Sequence, residues 1–215
     1  NADAPAAMAR ECAKLGSLLV HYSTDYVFDG TSRSPYDEAD ATNPTSAYGR
    51  SKLAGEEAVR TSGCRHLILR TSWVYAAHGK NFLLTMLRLA RERPELCVVA
   101  DQVGSPTAAS SLAETTLNMV RAAEQRSGTW NVTNQGQTSW HGFAERIVEQ
   151  GAALDLCRRV PVRAIKSADY PTPAQRPAFS VLDNTRLARD FGLRLPAWEV
   201  ALDATLAHLR QAQAA

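Results

Sequence analysis

A tyrosine and a lysine four residues apart, Tyr48 and Lys52, are the side chains of this sequence with the clearest chemical use. On a helix, two residues at this spacing lie on one face, one turn apart. A phenol has a reference pKa near ~10, and a neighbouring ammonium favours its ionised form, which moves the tyrosine toward proton transfer at neutral pH. The pair suits an oxidoreductase in which Tyr48 protonates an oxygen as hydride reaches carbon, and Lys52 is free to hydrogen-bond a ribose hydroxyl.

The spacing alone is a weak motif, because chance places some tyrosine four residues before some lysine in roughly one such sequence in ten. An amphipathic helix with Tyr48 packed inward and Lys52 in solvent has the same pattern. The elements around the pair must therefore decide whether it is catalytic.

Those elements alternate between helix and strand. An alanine-rich helix at 2–14, with Asn1 as its expected cap and Gly16 as its end, leads into an apolar run at 18–22. Such runs are typical of buried parallel strands. A loop rich in Gly, Ser, Pro and Asp follows. Residues 43–46 then open the helix of Tyr48, which extends to about Ser62. The further elements that the pattern predicts are a strand at 66–71, a helix at 81–93, a strand at 96–100, a helix at 110–123, a strand at 128–132 and helices at 140–150, 184–191 and 198–209.

This alternation predicts an α/β fold with a Rossmann-like, doubly wound parallel sheet. Residues 1–132 are expected to be the remainder of a dinucleotide-binding domain that carries the catalytic helix. Residues 133–215 are expected to form mainly a smaller, mixed α/β substrate lobe, interleaved with the first domain. Three prolines within 170–177 exclude regular structure in that stretch.

Polar and aromatic side chains follow the first two predicted strands. Thr24 and Asp25 come after the first, and Trp73 and Tyr75 after the second. In open α/β sheets, ligands collect at the carboxyl ends of the strands. Hydroxyls at such ends are also common loop caps, and the aromatic pair fits core packing as well as a substrate contact.

Composition and charge exclude several classes of function. The net charge is +2, from 24 basic and 22 acidic residues without a run of either sign, so no nucleic-acid or anionic-membrane partner is indicated. No apolar stretch approaches the ~20 residues that cross a bilayer. The four cysteines are far apart and no histidine cluster accompanies them, so neither a disulfide framework nor a metal site is expected. A cytoplasmic location is the default expectation.

The sequence contains no Gly-rich turn of the kind that holds a dinucleotide pyrophosphate. We therefore expect an N-terminal βαβ half to lie outside the 215 residues. We also expect these residues alone to bind a nicotinamide cofactor weakly, and an uncovered sheet edge to favour association.

Several separated stretches resemble the dTDP-4-dehydrorhamnose reductase family, a branch of the extended short-chain dehydrogenases/reductases. The Tyr-x-x-x-Lys pattern marks only that superfamily, whereas Ser-Thr-Asp-Tyr-Val-Phe and Arg-Thr-Ser-Trp-Val-Tyr are more particular. The stretches that carry the resemblance are 21–28, 48–55, 70–75, 101–107 and 170–177.

The resemblance implies that NADPH or NADH reduces the C4 ketone of dTDP-4-dehydro-L-rhamnose. It implies Tyr48 as proton donor, and Lys52 as the group that lowers the tyrosine pKa and holds the nicotinamide ribose. Thr24 matches the hydroxyl that hydrogen-bonds the reacting oxygen, and Asp25 and Trp73 match sugar contacts.

By position in the same stretches, Tyr22 matches a cofactor contact at the strand end. Asn81, Gln102 and Arg176 are candidates for the nucleotide-diphosphate end of a dTDP-sugar, since an arginine fork suits a diphosphate. Relatives can form a homodimer through a metal such as Mg²⁺ held by acidic residues. No residues here match that set.

Two alternatives stay open. A regulatory protein of the same fold, such as the regulatory subunit of methionine adenosyltransferase, would bind a partner enzyme without catalysis. The presence of Thr24, Tyr48 and Lys52 together argues against it. An epimerase or dehydratase acting on another nucleotide sugar needs further acid/base residues, and the sequence offers an aspartate after Thr24 but no neighbouring glutamate.

Overall fold

The computed structural model describes residues 1–124, 126–170 and 176–214, with side chains up to residue 212. In this part of the chain, the helices are α1 (Asp3–Leu15), α2 (Ala47–Thr61), α3 (Phe82–Glu92), α4 (Ala109–Ala122), α5 (Trp140–Ala153), α6 (Thr185–Phe191) and α7 (Trp198–Ala214). The strands are β1 (Leu19–Thr24), β2 (His66–Thr71), β3 (Val74–Tyr75), β4 (Leu96–Val99), β5 (Val103–Gly104), β6 (Thr107–Ala108), β7 (Gly128–Asn131), β8 (Thr138–Ser139) and β9 (Val162–Ile165).

The main sheet is parallel, with strand order β1-β2-β7. Its register places Thr24 beside Thr71, and Arg70 beside Asn131. The carboxyl ends of the three strands therefore lie at one edge. A single 3₁₀ turn, Asp25–Val27, leaves β1 there.

Helices cover both faces of this sheet, as the α/β pattern predicted. Ile68 packs with Ala9 of α1 and Val59 of α2 on one face. Its neighbours Leu67 and Leu69 face the other way, into a cluster with α4 and α6. Successive side chains of a strand alternate between faces, and helices cover both faces here. All six residues of β2 are therefore buried. The doubly wound fold is confirmed.

A second core lies beside the sheet and holds α3, α5, α7 and β4. Here one expectation was wrong. We expected β4 to extend the main parallel sheet, but it pairs with β9 in a separate two-stranded parallel sheet. The apolar face of α3 packs on α5, and β4, which follows α3 directly, lies in that second core. Elements from the middle of the sequence therefore build the C-terminal core.

Helix α2 starts where the sequence predicted, because the Ser46 hydroxyl accepts a hydrogen bond from the Gly49 amide at 3.0 Å. At α1 the predicted cap was wrong. Asn1 donates its side-chain amide to Ser51 Oγ at 3.1 Å, and Ala2 occupies the cap position without a side-chain bond. Gly16 ends α1 in the left-handed conformation, as expected.

None of the helices in the described ranges is long and apolar enough to cross a membrane.

Candidate active site

The predicted pair lies on the face of α2 that borders the end of β1. Tyr48 is 48% exposed, and Lys52 is half-buried one turn further along the helix. The Lys52 ammonium donates to the backbone carbonyl of Tyr22 at 2.5 Å. This bond ties the face of the helix that carries Tyr48 and Lys52 to the strand that ends in Thr24.

Thr24 connects β1 to the cleft. Its hydroxyl donates to Asp25 Oδ1 at 3.0 Å and accepts a hydrogen bond from the Tyr26 amide at 3.2 Å, which caps the 3₁₀ turn. The Tyr26 ring meets the Tyr48 ring edge to face, with centroids 6.1 Å apart. The turn therefore holds Thr24 and Asp25 next to the phenol of Tyr48.

The electrostatics of the pair differ from the sequence prediction. The pKa of Tyr48 is raised, chiefly by burial and further by the Asp25 carboxylate, and hydrogen bonding with the Thr24 hydroxyl opposes the rise. Burial lowers the pKa of Lys52, and the Glu56 carboxylate opposes that shift. Because the ammonium is directed at the Tyr22 carbonyl, Thr24 rather than Lys52 is the neighbour that favours the phenolate in this structure.

Asp25 is a buried carboxyl group beside the pair, 2% exposed. Burial raises its pKa to about 7, against the opposing hydroxyls of Ser180 and Thr24. Its Oδ2 atom has no hydrogen-bond partner among the residues that the structure describes.

An open cleft of about 450 Å³ brings these groups together. A narrower groove of about 300 Å³ adjoins it, and Trp140 and Arg176 line both. The other residues that line the cleft are Thr24, Asp25, Tyr26, Ser46, Ala47, Tyr48 and Trp73. The groove is mostly apolar and is lined by Phe82, Thr85, Met86, Leu89, Arg93, Leu96, Cys97, Val98, Val99, Gln102 and Tyr170.

Two of the predicted nucleotide contacts lie at this groove. Arg176 stands where the cleft and the groove meet. Gln102 lies in the groove and donates its amide to Ser167 Oγ at 2.9 Å. The rest of the predicted proline-rich loop, residues 171–175, lies outside the described residues.

Asn81 is not brought to the cleft or the groove. Its side-chain oxygen accepts a hydrogen bond from the Leu84 amide at 3.1 Å, which caps α3. Its amide nitrogen donates to the carbonyls of Ala76 and His78. This side chain is occupied as a helix cap, so its position does not support the predicted nucleotide contact.

Tyr22 is 41% exposed, and its hydroxyl hydrogen-bonds Thr116 Oγ1 at 2.9 Å. It lies on the Lys52 side of the cleft. A depression of about 460 Å³ between residues 134–137 and 181–185 contains none of the predicted site residues.

Sequence reasoning missed two features of the site. The sequence pattern indicates only that Trp140 starts a helix, whereas the structure places it in the lining of both the cleft and the groove. Glu56, a carboxylate eight residues after Tyr48, is fully buried and paired with Arg70. A charged residue in phase with Tyr48 and Lys52 on the same helix was the available signal for Glu56.

No group of three or more His, Cys, Asp or Glu side chains within the described ranges could hold a metal ion.

A tyrosine and a lysine one helical turn apart, at the carboxyl edge of a doubly wound parallel sheet, are the arrangement typical of the short-chain dehydrogenase/reductase class. The family model of the RmlD substrate binding domain matches residues 1–211. The chain belongs to that family, the dTDP-4-dehydrorhamnose reductases.

Curated relatives carry the same name. The dTDP-4-dehydrorhamnose reductase of Burkholderia thailandensis is 50% identical over 215 residues, which cover 94% of this chain and 71% of the relative. The one of Salmonella typhimurium is 41% identical and covers 97% of this chain and 71% of the relative.

Solved structures of the same name share the fold. The reductase of Clostridium acetobutylicum superposes with a TM-score of 0.91 at 38% identity, over 98% of this chain and 72% of that one. The Bacillus anthracis reductase, solved in complex with NADP, has a TM-score of 0.90 at 35% identity, over 97% and 72%.

Proposed function

We propose that this protein reduces the C4 ketone of dTDP-4-dehydro-L-rhamnose to give dTDP-L-rhamnose, with NADPH or NADH as reductant. The observation that carries the proposal is the meeting of Tyr48 and Thr24 in one open cleft at the end of β1, with the Lys52 ammonium bound to the Tyr22 carbonyl of the same strand. The names of the relatives, at up to 50% identity, supply the substrate.

The residues present fit the nicotinamide half of the cofactor. Tyr22, Tyr48 and the Lys52 stem leave an accessible surface at the carboxyl end of β1. The hydroxyl of Thr71, buried at that strand edge, has no hydrogen-bond partner among the described residues. When bound, the reduced nicotinamide supplies the hydride.

Three side chains then handle the proton and the oxygen. Tyr48 donates its phenolic proton to the ketone oxygen as charge develops there, and its raised pKa keeps that proton in place at neutral pH. The Thr24 hydroxyl lies beside this phenol, and by turning its proton away from Asp25 Oδ1 it offers the same oxygen a second donor. Lys52, held on the Tyr22 carbonyl, provides positive charge next to the reacting groups.

The rest of the cleft suits a sugar nucleotide. Trp73 and Asp25 line the part next to Tyr48, where they offer a ring face and a carboxyl group to a sugar. Arg176, at the junction with the groove, suits the diphosphate. The apolar groove with Gln102 then takes the nucleoside. In this arrangement, residues 82–102 line the substrate groove together with Trp140 and Arg176, so the substrate lobe takes elements from both parts of the chain.

The proposal is tested by following NADPH absorbance with dTDP-4-dehydrorhamnose. The assay uses a saturating concentration of NADPH. Tyr48→Phe is expected to lower kcat by about 10²–10⁴-fold, the usual contribution of a general acid. Tyr75→Phe is the matched control, because that hydroxyl is buried in the second core and has no hydrogen-bond partner there.

The outcomes separate the candidate functions. The reductase is supported if the parent protein turns over the substrate, Tyr48→Phe does not, and Tyr75→Phe does. A parent that binds the cofactor but turns over none of the sugar nucleotide would favour the regulatory alternative.

A further inference from the structure

Trp73 has a backbone conformation that a large side chain rarely adopts. Its φ is +48°, in the left-handed region, where L-residues other than glycine are strained. Such strain persists only where the surrounding structure holds it, and it concentrates at functional sites. Trp73 lines the cleft together with Tyr48, so what holds its indole also shapes the site.

Trp140 is the residue that holds it. The two indoles are stacked, with centroids 3.6 Å apart and planes 7° from parallel. Trp140 also packs against Phe82, whose ring stacks on Phe143 in the second core. A continuous line of aromatic rings therefore joins Trp73 to the buried core of the C-terminal part of the chain.

Gly104 provides the space for this stack. A Cβ atom at Gly104 would lie 2.5 Å from the Trp73 ring, closer than any real contact. Gly104 pairs with Thr138 in the antiparallel β5–β8 ladder, and Thr138 is two residues before Trp140 in the sequence. One ladder therefore fixes both the residue that stacks on Trp73 and the residue that makes room for it.

We propose that Trp140 is a positioning residue that determines specificity for the sugar half of the substrate. It acts by fixing the Trp73 indole as a rigid wall of the sugar subsite, and it separates that subsite from the nucleoside groove, since it lines both. This inference rests on the proposed function. It assigns to Trp140 the preference for a nucleotide that carries the sugar over the bare nucleotide.

The first test is spectroscopic. Two parallel indoles in contact couple their transitions and give a paired positive and negative band in circular dichroism. We expect the wild-type couplet to disappear in both Trp73→Phe and Trp140→Phe. It should remain in Trp130→Phe and Trp198→Phe, whose rings contact phenylalanine rather than tryptophan. A wild-type protein without a couplet would overturn the inference.

The second test measures binding. The ratio of the dissociation constant for dTDP to that for dTDP-L-rhamnose is determined by titration of wild type, Trp140→Ala, Trp140→Phe and Gly104→Ala. Trp140→Ala and Gly104→Ala should each reduce the ratio about tenfold, the size of one aromatic stacking contact. Trp140→Phe should restore most of it, because a phenyl ring can still stack on Trp73.

The outcomes distinguish the inference from the proposed function. A purely structural role would weaken both ligands equally and leave the ratio unchanged, which would refute the role of Trp140 alone. Gly104→Ala keeps the test decisive if Trp140→Ala fails to fold. A wild-type protein that binds dTDP-L-rhamnose no better than dTDP would overturn the proposed function and this inference together.

Discussion

The two ends of one face of helix α2 are built in opposite ways. At the N-terminal end, beside the cleft, Tyr48 and Lys52 are half-exposed, and Lys52 is held by one bond to a carbonyl. Two turns after Tyr48, Glu56 is fully buried and accepts from Arg70 twice, at 3.0 and 2.8 Å, and from Arg60 at 2.9 Å. The same helix therefore carries a buried ion-pair network and a candidate catalytic pair with few partners.

This difference explains how the reactive side chains are placed without being immobilised by their own contacts. Arg70 is 3% exposed on β2, and its guanidinium lies over the Phe28 ring at 5.1 Å. Its bond to Glu56 fixes the helix to the sheet two turns beyond Tyr48. The end of the helix beside the cleft can then keep its hydrogen-bond donors free for a ligand. Chemistry and anchoring are separated on one helix.

The largest effect should come from breaking the anchor. Glu56→Gln leaves the Arg70 guanidinium buried without a compensating charge, so the free energy of unfolding should fall by about 3–5 kcal/mol. Urea denaturation measures it. Glu92→Gln is the matched control, because Glu92 pairs with Arg88 in solvent and should cost less than about 1 kcal/mol.

A double variant sharpens this test. Glu56→Leu with Arg70→Met removes both charges and should recover most of the lost stability, because an apolar pair of similar volume avoids the desolvation penalty. If Glu56→Gln were as stable as Glu92→Gln, the Glu56–Arg70 ion pair would not contribute to the stability of the protein.

At the end of the helix beside the cleft, a substitution should lower activity and leave stability nearly unchanged. Lys52→Met is expected to lower kcat/KM for NADPH oxidation by on the order of 10²–10³-fold. Its free energy of unfolding should change by less than about 1 kcal/mol, because one hydrogen bond is lost while a half-buried charge is removed. Lys80→Met, at an exposed position outside the cleft, should change neither quantity. Equal losses of activity in Lys52→Met and Lys80→Met would refute a specific role of Lys52 in the reaction.

The pH dependence of stability tests the buried carboxyl next to the pair. The folded chain keeps the Asp25 proton up to about pH 7, whereas the unfolded chain releases it near the ordinary value of 3.8. Asp25 therefore makes stability fall as pH rises between about 4 and 7. Asp25→Asn lacks this titration, so its stability relative to wild type should rise over that interval by on the order of 2–4 kcal/mol. A constant difference between pH 4 and 8 would contradict the raised pKa.

The smallest effect concerns the contact between α2 and the 3₁₀ turn. A Cβ at Gly49 would lie 2.1 Å from the Tyr26 carbonyl oxygen. Replacing glycine by alanine inside a helix normally stabilises it by about 1 kcal/mol. Here overpacking should reverse the sign, so Gly49→Ala should destabilise the protein by about 1–3 kcal/mol. Gly142→Ala in α5 meets chiefly a Thr138 side chain and should be milder. Thermal unfolding of the two variants decides between propensity and packing.

The sequence predicted the parts of the fold that depend on local pattern. The strand at 66–71 has the bounds expected of a continuous apolar run, and α2 starts after its Ser46 cap and ends at Thr61, one residue before the expected end. Sheet membership is not local. The four residues of β4 look like any buried strand, and only the packing of α3 on α5 places them beside β9.

The same limit applies to the site. Thr24, Asp25, Trp73 and Arg176 could be placed at the cleft, because strand ends and particular motifs mark them. The roles of Asn81 and Trp140 depend on partners that spacing does not show, a helix end for the first and a second indole for the second. The direction of the Lys52 ammonium, and with it the pKa of Tyr48, depends on where one carbonyl points.

The parallel pairing of β2 with β7 has a consequence for folding kinetics. These strands are separated by about 60 residues of sequence, and the cleft takes its walls from positions as distant as Thr24 and Arg176. Loop-closure entropy must be lost before such contacts contribute, so topologies of this kind fold slowly. We expect ligand binding to return only in the last refolding phase, after most of the helical signal. During synthesis, the catalytic helix would leave the ribosome well before the residues that complete its site.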